Sequence, residues 1–168
     1  MIIAIDGPAG AGKSTVAQRL ARRLGLRYLD TGAMYRALTL RALREHIDLD
    51  DEERLASVAA DMEVGMEHVS RRRPPYRVFM DGEDITSAIR SREVSAHVSQ
   101  VSSHPLVRSE MVNKQRRMAA GGGVVVAGDE DDRADAHEVD QCRLEQANRV
   151  DRRDGSVVDV AADEDGIH

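Results

Sequence analysis

Eight residues near the amino terminus constrain the fold of this chain more than any others. They match the pattern G-x-x-x-x-G-K-[ST] and read Gly7-Pro8-Ala9-Gly10-Ala11-Gly12-Lys13-Ser14. The apolar run Ile2–Ile5 before them is typical of a buried parallel strand, and a helical pattern follows as far as Gly25. A glycine-rich turn between a strand and a helix directs backbone N–H groups at phosphate oxygens. The sequence therefore predicts an α/β fold with a phosphate-binding loop.

Lys13 and Ser14 carry the chemistry of this motif. In such loops the lysine reaches the β- and γ-phosphates of a bound nucleoside triphosphate, and the serine hydroxyl is a ligand for Mg²⁺. Of the 24 basic residues, only Lys13 and Lys114 are lysines. A chain that uses arginine almost everywhere keeps a lysine here, where a compact point charge fits the phosphates and a planar guanidinium does not. This choice of residue supports the phosphate-binding interpretation.

The rest of the chain predicts a parallel sheet flanked by helices, interrupted by a small antiparallel insertion at about 62–95. Val16, Leu20 and Leu24 form the predicted apolar stripe of the first helix. The later predicted elements are a strand over Leu26–Leu29, a helix over Ala33–Glu45, a helix from an Asp50/Glu53 capping box to about Asp61, strands over Met62–Val69 and Tyr76–Met80, a turn at Asp81-Gly82, helices from Ser91 and Pro105, a strand over Val124–Val126, and weaker patterns for a helix over Val139–Val150 and a strand over Ser156–Val160.

Composition excludes several classes of protein. The longest apolar runs are about five residues, too short to cross a membrane, and the amino terminus lacks the basic region of a signal peptide. Cys142 is the single cysteine, so no internal disulfide can form, and the six histidines show no metal-ligand spacing. We therefore expect a cytoplasmic protein without membrane contacts.

Charge divides the chain at about residue 128. The net charge is −6, but residues 129–165 hold 14 acidic and 5 basic residues, a local charge of −9. Residues 1–128 are rich in arginine but lack the dense basic stripe and the aromatic residues of a nucleic-acid-binding protein. We therefore expect no nucleic-acid partner. Residues 129–168 have few large apolar side chains to offset an ordering cost of ~1–2 kcal/mol per residue. We expect much of this tail to be mobile and to pack poorly on the sheet.

Several classes of nucleotide-binding protein share such a loop. A GTPase needs an Asn-Lys-x-Asp guanine reader, whereas the only Asn-Lys pair continues as Asn113-Lys114-Gln115-Arg116. A motor or transporter subunit is usually longer than 168 residues. A small kinase must bind a second substrate, and Asp30–Arg36 follows the second predicted strand, at the edge where open α/β sheets bind ligands. There Thr31 can form hydrogen bonds and Arg36 can bind a phosphate through two of them.

Three separated motifs resemble bacterial cytidylate kinases, the nucleoside monophosphate kinases that phosphorylate CMP and dCMP with ATP. The matching segments are Ile3–Thr15, Tyr28–Arg36 and Phe79–Thr86, followed by Ile89-Arg90, Glu93–Ser95, Ser99–Val101 and Pro105–Arg108. The resemblance covers about residues 1–128 and includes an insertion that adenylate and shikimate kinases lack. It implies a P-loop nucleoside monophosphate kinase-like fold and a monomeric enzyme of pyrimidine nucleotide metabolism, with ATP, Mg²⁺, CMP and dCMP as its ligands.

The resemblance also implies roles for individual residues. The ATP loop is Gly7–Thr15, with Ser14 as the Mg²⁺ ligand and with Lys13 and Arg36 as catalytic residues. Thr31 and Arg36 match the residues that hold the phosphate and sugar side of CMP. Ser99 and Arg108 match those that read cytosine, whose N4 donor and N3 and O2 acceptors suit a hydroxyl and a guanidinium. Asp154 matches a further substrate-binding residue.

After residue 128 the sequence departs from the family pattern. The family continues Gly-Arg-Asp, whereas this chain has Gly128-Asp129-Glu130, and Val150 and Val157 stand where arginines are expected. A lid arginine is worth ~10³–10⁵ in rate in P-loop enzymes. Arg143, Arg149, Arg152 and Arg153 are the candidates to replace it. One alternative to an active kinase is therefore a catalytically impaired nucleotide-binding remnant without a complete lid. Another, disfavoured by the insertion, is a P-loop kinase for a different small substrate.

Overall fold

The computed structural model describes residues 1–6, 12–69, 76–128 and 157–161, of which Asp6 and 157–161 are described as backbone only. In chain order the elements are β1 (Ile2–Asp6), α1 (Lys13–Leu24), β2 (Arg27–Asp30), α2 (Thr31–Arg44), α3 (Glu52–Asp61), β3 (Val64–His68), β4 (Tyr76–Met80), β5 (Glu83–Asp84), a 3₁₀ turn (Ala88–Arg90), α4 (Arg92–Ser103), α5 (Pro105–Ala119), β6 (Val124–Ala127) and β7 (Val157–Ala161).

The chain divides into two compact units, which we describe separately. The first comprises Met1–Asp30 and Met118–His168, and the second comprises Thr31–Arg117. Several sequence predictions fall outside the described residues: the phosphate loop from Gly7 to Ala11, Asp154, the candidates to replace a lid arginine (Arg143, Arg149, Arg152 and Arg153), the helix over Val139–Val150, and the mobility of the tail beyond its one described strand. No helix among the described residues is long and apolar enough to cross a membrane.

The first unit contains a four-stranded sheet in the order β2-β6-β1-β7. Strands β2, β6 and β1 are parallel, as predicted, and their aligned residues Asp30, Ala127 and Ile5 bring their carboxyl ends to one edge. Strand β7 is antiparallel to β1 and pairs all five of its residues with it. The predicted α/β fold is therefore confirmed, with one antiparallel edge strand added to the parallel sheet.

Helix α1 packs on this sheet mainly through two alanines, with Leu20 partly buried against the same cluster. Ala17 and Ala21 are buried among residues of β1 and β6 that include Ile5, because small side chains let a helix approach a sheet closely. Leu20 of the predicted stripe packs against this cluster, whereas Val16 and Leu24, also predicted on the stripe, are exposed. The predicted stripe is therefore right at Leu20 and wrong at its two ends, because the fully buried positions of α1 are offset by one residue, at the alanines.

The second unit contains the predicted antiparallel insertion as a three-stranded sheet in the order β3-β4-β5. Val64 aligns with Met80 across β3 and β4, and the tight turn to β5 is formed by Asp81 and Gly82. Both turn residues have positive φ, 50° and 85°, the combination that a type I′ hairpin turn requires and that Asp-Gly supplies. The predicted turn is confirmed.

Capping residues fix where two helices of the second unit begin. Ser91 caps α4 by accepting a hydrogen bond from the backbone N–H of Val94 at 3.2 Å, as predicted. For α3 the cap is Asp51, whose Oδ1 accepts from Arg54 N at 3.0 Å. The capping box predicted from Asp50 was wrong by one residue, because Asp50 is hydrogen-bonded to another segment instead.

Thr86 follows β5 and joins the end of the β4–β5 hairpin to β4 through its side chain. Its hydroxyl, in a residue only 3% exposed, accepts from Val78 N at 2.9 Å and donates to Asp84 Oδ1. Thr86→Val keeps the shape but leaves a buried N–H unpaired, which costs ~1–3 kcal/mol.

We therefore expect Thr86→Val to lower the free energy of unfolding by about that amount, measured by urea denaturation. Thr39→Val is the matched control. The buried Thr39 hydroxyl donates to a helical carbonyl, Tyr35 O, so its removal leaves no buried N–H group without an acceptor. Equal losses for the two variants would contradict the role assigned to Thr86.

Candidate active site

In the first unit, Gly12 is the one residue of the glycine-rich turn before Lys13 that the structure describes, and it directly precedes α1. Its φ of 83° lies in the left-handed region that favours glycine, although a Cβ would meet no atom within 4 Å. Its carbonyl accepts from Thr15 N at 3.0 Å and Val16 N at 3.1 Å, which starts the helix. Within the described residues no side chain caps α1, and its first turn holds no acidic residue. Such a helix end suits a phosphate.

Lys13 is the first residue of α1 and is only 9% exposed. It lies four residues before Ala17, on the same side of the helix as the alanines that pack on the sheet. Ser14 and Thr15, the next two residues of the same turn, are exposed. The first turn of α1 thus has a buried lysine followed by two exposed hydroxyl residues.

Ser14 belongs to a hydrogen-bonded cluster that the sequence analysis did not assign. The hydroxyl of Tyr28 donates to Asp30 Oδ2 at 3.3 Å and is also hydrogen-bonded to the side chains of Ser14 and Gln18. Burial, and then the charge of Asp30, raises the pKa of Tyr28 above its usual range, so the phenol stays protonated. The signal in the sequence was the spacing of Tyr28 and Asp30, which places both on one face of β2.

In the second unit, α2 carries two of the predicted site residues. Thr31, at the start of the helix, is 1% exposed. Arg36 is half-buried, and its Nη1 donates to Ser95 Oγ on α4 at 3.0 Å. Ser95 orients this guanidinium, a role the sequence analysis did not assign because it depends on a contact between helices 59 residues apart.

Ser99 and Arg108 stand on the two helices that meet at His104. Ser99 is exposed on α4, and Arg108 is half-buried in the first turn of α5, where its N–H donates to His104 O at 3.0 Å. The structure therefore brings Thr31, Arg36, Ser99 and Arg108 into one unit, whereas Gly12, Lys13, Ser14 and Thr15 lie in the other.

The described residues contain no group of three or more His, Cys, Asp or Glu side chains arranged to hold a metal ion. The Ser14 hydroxyl supplies an oxygen donor, and the Tyr28 phenol next to it is a second oxygen. Oxygen donors are the ligands that Mg²⁺ prefers, and Mg²⁺ usually keeps several waters and few protein ligands. Ser14 therefore fits the role of a single protein ligand to a nucleotide-bound Mg²⁺.

Comparison with known proteins relates the chain to one family of kinases. The family model described as cytidylate kinase matches residues 3–132. A cytidylate kinase of Caldanaerobacter subterraneus subsp. tengcongensis is 54% identical over 117 residues, which are 70% of this chain and 49% of that protein. A cytidylate kinase of Desulfitobacterium hafniense matches equally, at 54% identity over 117 residues and with the same coverage.

The name of a longer relative includes a second activity. A bifunctional pantoate ligase/cytidylate kinase of Gloeobacter violaceus is 57% identical over 117 residues, which are 70% of this chain and 23% of that protein. The chain thus spans about half the length of the curated single-function relatives it matches, and about a quarter of the bifunctional one.

Proposed function

Because the chain belongs to the cytidylate kinase family, we propose that it transfers the γ-phosphoryl group of ATP to CMP or dCMP, giving CDP or dCDP and ADP. The family match over residues 3–132 carries this proposal. The polar residues assigned in each of the two units supply groups of the right chemistry for the two nucleotides.

On the ATP side, we assign phosphate binding to the loop Gly7–Thr15. The left-handed Gly12 starts a helix whose first turn carries no acid, so its N–H groups and dipole favour an anion. Lys13 contributes a positive charge for the β- and γ-phosphates, where charge shifts during transfer. Ser14 would hold Mg²⁺, which neutralises phosphate charge when bound. Tyr28, which donates to Asp30, is the hydrogen-bond partner of the Ser14 hydroxyl.

On the CMP side, Thr31 and Arg36 are assigned to the substrate phosphate. An oxygen of that phosphate attacks the γ-phosphorus, the bond to the bridging oxygen breaks, and ADP leaves. Arg36, held at 3.0 Å by Ser95, offers several donors in a fixed plane to the phosphate oxygens. Ser99 and Arg108 are assigned to the edge of cytosine, and Asp154 remains a predicted substrate-binding residue.

The proposal includes a setting as well as a reaction. A single cysteine and the kinase chemistry are consistent with a cytoplasmic enzyme of pyrimidine nucleotide metabolism. We propose that it acts as a monomer on small nucleotides, not on nucleic acid. Size-exclusion chromatography with light scattering would test the monomer, with a dimer mass as the contradicting result.

A coupled ADP-release assay with ATP and Mg²⁺ tests the reaction. CMP, dCMP, UMP and AMP are supplied separately, and we expect ADP release to depend on CMP or dCMP far more than on the other two. Calorimetry of ATP and CMP binding accompanies the assay. Binding of both nucleotides without turnover would favour the impaired remnant, and equal turnover of all four would favour a kinase for another substrate.

Tyr28→Phe tests the cluster around Ser14, because it removes one hydroxyl and keeps the ring that packs on the core. We expect the affinity for Mg²⁺-ATP to fall about 3–10-fold, the effect of losing one hydrogen bond. Affinity for ATP measured with EDTA should change less, since Ser14 is assigned to the metal. A uniform loss under both conditions would contradict that assignment.

A further inference from the structure

Three hydrogen bonds join residues 49–52, where α2 connects to α3, to the corner between α4 and α5, residues 99–108. The bonds run from Gln100 Nε2 to Asp50 Oδ1 at 2.7 Å, between His104 Nε2 and Leu49 O at 2.8 Å, and from Leu106 N to Glu52 Oε1 at 2.7 Å. We call residues 49–52 the brace. All of these residues lie in the second unit.

The brace supplies a cap that α5 does not carry itself. The helix begins at Pro105, which has no N–H, after His104, which is a poor capping residue. The first N–H of the helix, at Leu106, therefore needs an acceptor, and the carboxylate of Glu52 provides one. A negative charge at a helix amino terminus also interacts favourably with the helix dipole. Glu52 thus fixes the direction in which α5 starts.

The other two bonds hold the end of α4 and the corner residue. The Gln100 amide donates to the Asp50 carboxylate, and Asp50 is itself held by a bond from its N–H to Asp48 Oδ1 at 3.0 Å. A carbonyl can only accept, so His104 donates through Nε2 to Leu49 O. Both sides of the corner are therefore fastened to one short segment.

The residues assigned to cytosine are close in sequence to the residues that make these bonds. Ser99 precedes Gln100 on α4, and Arg108 follows Leu106 by two residues on α5. Ser99 and Arg108 lie on different helices, so they can contact one base together only if the angle between α4 and α5 is fixed. A hydrogen bond weakens when its donor–acceptor distance changes by a few tenths of an ångström. We propose that the brace positions Ser99 and Arg108 for pyrimidine-base recognition, with Asp50 and Glu52 as positioning residues. This inference rests on the proposed function.

Calorimetry with CMP, UMP and ATP tests the brace in the full chain, below the melting temperature of every variant. Glu52→Ala and Gln100→Met each remove one bond. We expect each to weaken CMP binding about tenfold, towards the affinity for UMP, while ATP affinity stays within about twofold. Glu52→Gln keeps an oxygen acceptor and is expected to recover part of the preference.

Lys114→Met is the matched control, since it removes a bond between α5 and the end of α3 far from the corner. Lys114 Nζ donates to Ala60 O at 3.2 Å and to Met62 O. We expect this variant to melt at a lower temperature and to keep the wild-type preference for CMP over UMP. If it loses the preference as Glu52→Ala does, selectivity merely follows stability and the inference is overturned.

Two further results separate this inference from its premise. If the wild type prefers CMP and both Glu52→Ala and Gln100→Met keep that preference, only the positioning role of the brace is overturned. A wild-type chain with equal affinity for CMP and UMP would overturn the proposed base recognition, and the brace with it.

Discussion

Lys13→Ala is expected to abolish phosphoryl transfer and to weaken ATP binding more than any other single change. The ammonium is confined in the first turn of α1, in a residue 9% exposed, beside a helix end without acidic residues. Losing a charge-assisted hydrogen bond costs ~1.5–3 kcal/mol in affinity. Removing a group that stabilises charge in the transition state lowers kcat by a further ~10²–10³-fold.

The measurement is ATP calorimetry together with ADP release. Alanine preserves the helix, because it is the strongest helix former, and circular dichroism would confirm that. Lys13→Arg tests the shape of the cation, since a planar guanidinium keeps the charge but does not fit a site for a point charge. Lys114→Ala controls for the loss of a lysine elsewhere. Unchanged ATP affinity and turnover in Lys13→Ala would refute the phosphate-loop assignment.

Local signals explain why so much of the fold could be predicted. The run Ile2–Ile5, the Asp81-Gly82 turn and the Ser91 cap each depend on residues close together in the chain, and the structure contains all three. The packing face of α1 was predicted correctly at Leu20 and wrongly at Val16, since whether Val16 or Ala17 meets the sheet depends on how closely the helix approaches it. That distance is a property of tertiary packing.

Contacts between distant segments account for what the sequence did not reveal. Asp50 and Asp51 are adjacent and chemically alike, yet Asp51 caps α3 while Asp50 accepts from Gln100, 50 residues further on. The same holds for Ser95, which orients Arg36, and for Tyr28, which lies beside Ser14. The motif residues could be proposed from the sequence, whereas the residues that contact them, Ser95 and Tyr28, could not.

Arg108→Ala is expected to remove most of the preference for CMP over UMP. A guanidinium only donates hydrogen bonds, so it suits the N3 and O2 acceptors of cytosine, whereas uracil presents a donor at N3. Arg108 is half-buried near the start of α5, where its backbone is fixed by the bond to His104 O at 3.0 Å. Leaving a polar partner unpaired in a site costs ~1–3 kcal/mol, and we expect the preference to fall by that amount.

Competition calorimetry with CMP and UMP measures this change, with ATP affinity as the internal reference. Arg117→Ala, in the last turn of the same helix, removes an equal charge at an exposed position and should leave the preference intact. Arg108→Lys keeps the charge but loses the planar pair of donors, so it should retain only part of the discrimination. If Arg108→Ala binds CMP and UMP in the same ratio as the wild type, Arg108 does not recognise the base, and any selectivity for CMP must come from other residues.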